Sequence, residues 1–153
     1  MRKQTPGELH ANQRRAEMLM KRIITHFQVA LDEQLKPHGA TIAQVRLLWA
    51  IRKAPGSSGA HLSRQCDVTP QTMQALIQRA EEAGWIARSK DSTNDRIVTA
   101  TLTGDGEQLL QAADRIVRGI EAKLWKRVKP AAIDSMIRVL EDCLENVHPE
   151  RAK

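Results

Sequence analysis

Between Thr69 and Arg79, the side chains that fall off an apolar stripe are Gln71, Thr72, Gln74, Gln78 and Arg79, with Thr69 just ahead of them; none is an acid. Glutamine can donate to and accept from one adenine edge at once, and arginine donates twice to guanine, so amides beside a guanidinium suit the major groove of duplex DNA. A merely solvated helix face would more often carry Glu and Lys, and a carboxylate here would repel phosphate. The nearest acids, Glu81 and Glu82, stand at the far end of the row. A second polar group follows, with Arg88, Lys90, Asn94 and Arg96 in and around the stretch from Ser89 to Asp95. Alone it equally describes a solvated hairpin tip. Beside an acid-free row it reads as a basic wing for phosphate or minor-groove contact.

Such a row has to be held by its opposite face. Met73, Leu76, Ile77 and Ala80 recur at i, i+3, i+4 and i+7, which predicts a helix from Pro70 to Ala83 fastened by that stripe. Thr69 can cap it, Pro70 suits its first position, and Gly84 can close it. A short helix over Gly59 to Gln65, buried through Leu62 and Cys66, leads into the turn Cys66-Asp67-Val68-Thr69. Before it, Thr41-Ile42-Ala43-Gln44 is a capping box opening a helix to Lys53 with Val45, Leu48 and Trp49 inward. After it, Trp85 to Arg88 and Arg96 to Leu102 read as two strands, the second with Val98, Ala100 and Leu102 on one face and threonines between. Residues 41–103 thus have the parts of a winged helix-turn-helix lobe.

Three helical segments flank the lobe: Asn12 to Lys36, Gly104 to Val128, and a last one opened by Pro130. Their stripes, among them Leu19, Ile23, Phe27, Leu31 and Leu35, then Leu109, Ala113, Ile116 and Ile120, then Ile133, Met136, Ile137, Leu140, Leu144 and Val147, are more than a lobe of this size can cover. A partner copy is the economical cover, with a monomeric bundle folded over the lobe as the alternative. The expected class is mainly α with a small β-hairpin wing, one chain of 153 residues in which 1–40 and 104–153 form a discontinuous helical dimerisation region.

Composition agrees. The net charge is +6, and it is uneven: residues 41–103 hold eight Lys/Arg against five Asp/Glu and residues 1–40 seven against four, while 104–153 hold nine of each. A positive front suits a polyanion. Three Trp, one Phe and no Tyr leave little from which to build a stacking platform for single strands, so the expected partner is duplex DNA.

The residues Pro55-Gly56, Leu62-Ser63, Val68-Thr69, Gly84-Trp85-Ile86-Ala87-Arg88, Asp91, Arg96 and Leu102-Thr103-Gly104-Asp105-Gly106 resemble the MarR family of bacterial regulators. The resemblance runs over essentially the whole chain, and its most specific part is the wing. There the family shows an Asp, a second Asp three residues on, an Arg two beyond that, and Leu-Thr-x-x-Gly after the second strand. This chain departs at the second Asp, which is Asn94 with Asp95 beside it, so the acid that braces the wing Arg in the family is replaced or shifted by one residue. The resemblance implies a homodimer with interleaved first and last two helices, two winged lobes on a pseudo-palindromic operator, and repression relieved by a small ligand, often an aromatic acid, bound between scaffold and lobe. No ligand-binding residue is assigned, although Trp49 and Phe27 are aromatics that could line such a pocket.

Other chemistries have little to stand on. Cys66 and Cys143 lack Cys-x-x-Cys spacing, and His10, His26, His38, His61 and His148 form no i, i+4 pair, so neither a metal nor another cofactor is expected. Cys66 reads as a buried structural thiol and Cys143 as core or interface. There is no Gly-x-Ser-x-Gly, no phosphate-cradling glycine loop and no His/Glu metal pair, and the carboxylate pairs Asp32-Glu33, Glu81-Glu82 and Glu141-Asp142 are adjacent in sequence, which points their side chains apart on a helix. No enzyme is expected. The polar N-terminus and the absence of a long apolar run imply a cytoplasmic protein without a membrane partner. A second class of function stays open at this point: a protein-interaction module that uses the winged lobe without binding DNA.

Overall fold

The computed structural model describes residues 5–90 and 98–147. Helix α1 runs Pro6–Leu35, beginning well before the expected Asn12. The missed signal is a cap and not a stripe: the Thr5 hydroxyl accepts the Glu8 N–H, the Glu8 carboxylate accepts the Thr5 N–H at 2.8 Å, and Pro6 takes the first position. That bond from the Thr5 backbone also holds the Glu8 carboxyl below its ordinary value. Pro37 sits in a 3-10 turn, Lys36–His38, and Gly39 at φ 68° turns the chain left-handedly out of it.

Helix α2 is Ile42–Lys53, with the expected box between Thr41 and Gln44. A third contact fixes its start, because Asp32 on α1 accepts the Ile42 N–H at 3.1 Å. Val45, Leu47, Leu48 and Ile51 are all buried, a broader stripe than Val45, Leu48 and Trp49, since α2 packs against several elements at once. Trp49 is only half-buried. Its indole N–H donates to Asp114 at 2.9 Å, and the Arg52 guanidinium meets the other oxygen of the same carboxylate at 3.1 Å.

Helices α3 (Gly59–Cys66) and α4 (Pro70–Glu82) follow, joined by a turn in which Asp67 is left-handed at φ 54°. The sheet has a strand that the sequence pattern did not predict: β1, Ser57–Ser58, pairs antiparallel with β3, Val98–Leu102, which also pairs with β2, Ile86–Lys90. Two serines carry no apolar alternation, so nothing in the pattern flagged them. Thr99 departs from the expected outward position. It is buried, and its hydroxyl lies 3.2 Å from that of Ser89.

Helix α5, Gly104–Leu124, stops short of Val128; Arg127 turns left-handed at φ 66° and the Val128 N–H returns to the Trp125 carbonyl. The last helix, α6, is Pro130–Val147. The chain divides into two compact units, one up to Ile120 and one from Glu121. The first contains the core, where Leu35, Leu47, Leu48, Ile51, Leu62, Met73 and Leu110 are fully enclosed. In the second, α6 buries no residue, and Ile137, Leu140, Leu144 and Val147 stand in solvent.

Asp114 yields a prediction about the first unit. Asp114→Ala leaves the half-buried Trp49 N–H without its acceptor and frees Arg52, at an expected cost of about 1–2 kcal/mol. Asp114→Asn keeps an acceptor for the indole and should lose less than half of that. Urea midpoints of the two variants check the order, and equal losses would contradict it.

Candidate nucleic-acid interface

The outward row depends on how α4 is seated. Met73, Leu76, Ile77 and Ala80 are buried in the lobe, and Gln71, Thr72, Gln74, Gln78 and Arg79 are exposed on the other side. The Thr69 hydroxyl accepts the Thr72 N–H at 3.1 Å and lies 2.8 Å from the Thr72 hydroxyl, so these two side chains serve the helix start. No acid lies in the first turn, which leaves its positive dipole end open to a phosphate. Gln71, Gln74 and Arg79 make no side-chain hydrogen bond among the described residues.

Two further sequence candidates are engaged within the protein. Gln78 donates to Glu82 at 2.9 Å, one turn along α4. Arg88, on β2, forms an ion pair with Glu81 at 3.2 Å. Nothing in the pattern could mark Glu81 as its partner, because the pair joins a helix to a strand across a turn. Arg88 nevertheless lines, with Gln74, Ser57, Gly59 and Thr99, a small hollow of about 40 Å³ on the lobe. Lys90 closes β2, where its backbone pairs with Val98. Asn94 and Arg96, with Asp91 and Asp95, lie outside the described residues.

The turn ahead of α4 is braced by Val68, whose N–H reaches the Ser63 carbonyl at 3.0 Å, and by Leu62, fully buried. Cys66 is half-buried, and burial pushes its thiol up while the nearby Arg46 charge opposes that shift. Cys143 is exposed on α6. Two larger hollows exist in the first unit. One, about 630 Å³, lies between α1 and α2 and is lined by Val29, Asp32, Lys36, Ile42, Ala43 and Arg46. The other, about 480 Å³, is lined by His38, Trp85, Asp105, Leu109 and Arg115. Neither includes Trp49 or Phe27.

The MarR family model matches residues 38–97. The HTH-type transcriptional repressor Rv2887 of Mycobacterium tuberculosis is 31% identical over 123 residues, covering 80% of this chain and 88% of that protein. Among solved structures, Rv2887 complexed with DNA superposes with a TM-score of 0.67 at 29% identity, over 83% of this chain and 95% of that one. Rv2887 complexed with salicylic acid gives 0.63 at 30% identity, over 82% and 93%. The fold alone is shared with mutant MarR from E. coli complexed with operator DNA, at a TM-score of 0.74 and 22% identity over 84% and 92% of the two chains.

Proposed function

The chain belongs to the MarR family, and we propose that it is a transcriptional repressor that binds a pseudo-palindromic duplex as a homodimer and leaves it when a small aromatic acid binds. The observation that carries this reading is the seat of α4: an apolar face sunk in the lobe and an acid-free row of Gln71, Thr72, Gln74 and Arg79 facing out. That is the arrangement a major-groove reader needs, with amides and a guanidinium at base edges and the helix start toward phosphate. Arg96, Lys90 and Asn94 of the wing complete the candidate interface, while Arg88 is engaged by Glu81. Such a protein acts by binding and not by catalysis, and in a bacterium it works in the cytoplasm, where the chromosome is.

The relatives support the two partners. Rv2887 has been solved with DNA and with salicylic acid. In this chain the 630 Å³ hollow is lined by Val29, Ile42 and Ala43, with Lys36 and Arg46 as cations for a carboxylate and Glu33 as an acid beside them. Asp32 at its rim is occupied by the Ile42 N–H.

The test is duplex binding by the purified protein. A duplex selected by the protein from a random library should bind far more tightly than random DNA, weaken steeply with salt, and be released by salicylate. Gln74→Ala should lower affinity for the selected duplex about tenfold and leave random duplex unaffected. Arg96→Ala should weaken every duplex and flatten the salt slope by about one counterion. A folded dimer without duplex affinity at any ionic strength would instead establish the protein-interaction module.

A further inference from the structure

Arg88 has the wrong surroundings for a phosphate ligand. Its guanidinium is paired with Glu81 at 3.2 Å, and its side chain is 29% exposed against 41% for the acid. The pair spans two elements: Glu81 stands in the last turn of α4, and Arg88 is the central residue of β2, opposite Ala100 of β3. Gly84, left-handed at φ 75°, makes the turn between them, so the ion pair closes a loop from the reading helix to the strand that leads into the wing. The Trp85 N–H, bonded to the Ala80 carbonyl at 2.9 Å, closes the same loop from the backbone side. Arg88 also lines the small hollow beside Gln74, so a shift of β2 against α4 would be felt at a residue of the outward row.

From this we infer that Arg88 is a positioning residue: through Glu81 it sets the angle between α4 and β2 and contributes no counterion to duplex binding. The inference rests on the DNA-binding reading above and assigns Glu81, an acid otherwise at odds with a polyanion, a supporting part in it. An acid that merely competed with phosphate for Arg88 would weaken binding, and removing it would tighten the complex. An acid that holds a strut strengthens binding, and removing it loosens the complex. The two roles differ in sign.

The experiment compares the full-length protein with Arg88→Ala, Glu81→Ala, the double variant and Glu82→Ala on the duplex selected by the parent protein, at four salt concentrations. Glu82 is the adjacent acid and bonds Gln78 in place of Arg88, so it reports the effect of losing one negative charge from this turn. The expected result is a three- to tenfold loss for Arg88→Ala with an unchanged salt slope, a similar loss for Glu81→Ala relative to Glu82→Ala, and no further loss in the double variant. A slope reduced by about one in Arg88→Ala, or affinity gained equally in Glu81→Ala and Glu82→Ala, would overturn the strut. Thermal melting of each variant is read alongside, and a variant that melts early is replaced by Arg88→Gln or Glu81→Gln, scored by the same signs. Absence of duplex binding by the parent protein would count against the function itself, an outcome distinct from either.

Discussion

Gly106→Ala should be among the most destabilising single-methyl changes in the chain, lowering the melting temperature by roughly 5–10 °C, equivalent to about 3 kcal/mol for a protein of this size. In a helix this substitution ordinarily stabilises by up to about 1 kcal/mol, so the expected sign is reversed. The reason is steric. A Cβ on Gly106 would sit inside contact distance of the Trp85 carbonyl oxygen and 3.0 Å from its carbonyl carbon, and backbone cannot rotate away as a side chain could. Trp85 is also held on both sides: its N–H bonds Ala80, and its carbonyl accepts the Thr103 N–H at 3.1 Å. Thr103 completes the joint, its hydroxyl donating to the Gly84 carbonyl at 2.6 Å while accepting the Gly106 N–H at 3.1 Å. Gly7→Ala, in α1 with open space around it, is the control and should cost nothing. Calorimetric melts of both variants decide the matter, and a Gly106→Ala protein as stable as the parent would show that α5 can shift off the strand.

That joint explains why Leu102-Thr103-Gly104-Asp105-Gly106 was legible in the sequence. Its constrained positions act locally, since Thr103 starts α5 and Gly106 lets the first turn approach the chain leaving α4. The same holds at Thr41 and Gln44 and at Thr69 and Pro70, where caps name helix starts within a few residues of sequence. The stripe on α4 was legible because burial follows its period, and with it the outward row.

What stayed hidden depends on partners distant in sequence. Asp32 at the start of α2, Asp114 beneath Trp49, and Glu81 on Arg88 join residues 10, 65 and 7 positions apart, with no periodic relation to mark them. Strand β1 exists because β3 offers a free edge, not because Ser57 and Ser58 favour a strand. The ends of α1 and α5 shifted for a related reason: apolar periodicity marks where a helix packs, and the cap at Thr5 and the left-handed Arg127 mark where it begins and ends.

Leu140→Glu with Leu144→Glu should convert a dimer into a monomer and reduce affinity for the selected duplex by two orders of magnitude or more. These residues lie one turn apart on α6, 37% and 53% exposed, in a face continued by Ile137 and Val147. A helix of 18 residues with a one-sided apolar face and nothing buried has little to keep it folded in water, since isolated helices of this length are marginal. A second copy is the natural cover, because residues 104–153 carry equal numbers of acids and bases and so do not repel their twin. Two-fold symmetry places four leucines at the contact, each worth up to about 1.5–3 kcal/mol when fully buried, and four carboxylates in their place cannot be buried unpaired. The row on α4 is untouched by the change, so each monomer keeps one candidate reading helix and loses the linked second one, which is where the factor of roughly 10²–10⁴ from joined sites resides. Sedimentation and duplex titration on the same samples test both halves, with weak random-duplex binding expected to persist at a reduced salt slope. A variant that stays dimeric and binds the selected duplex like the parent would place the subunit contact elsewhere, with the α1 face of Leu19, Ile23 and Ile24 the next to examine.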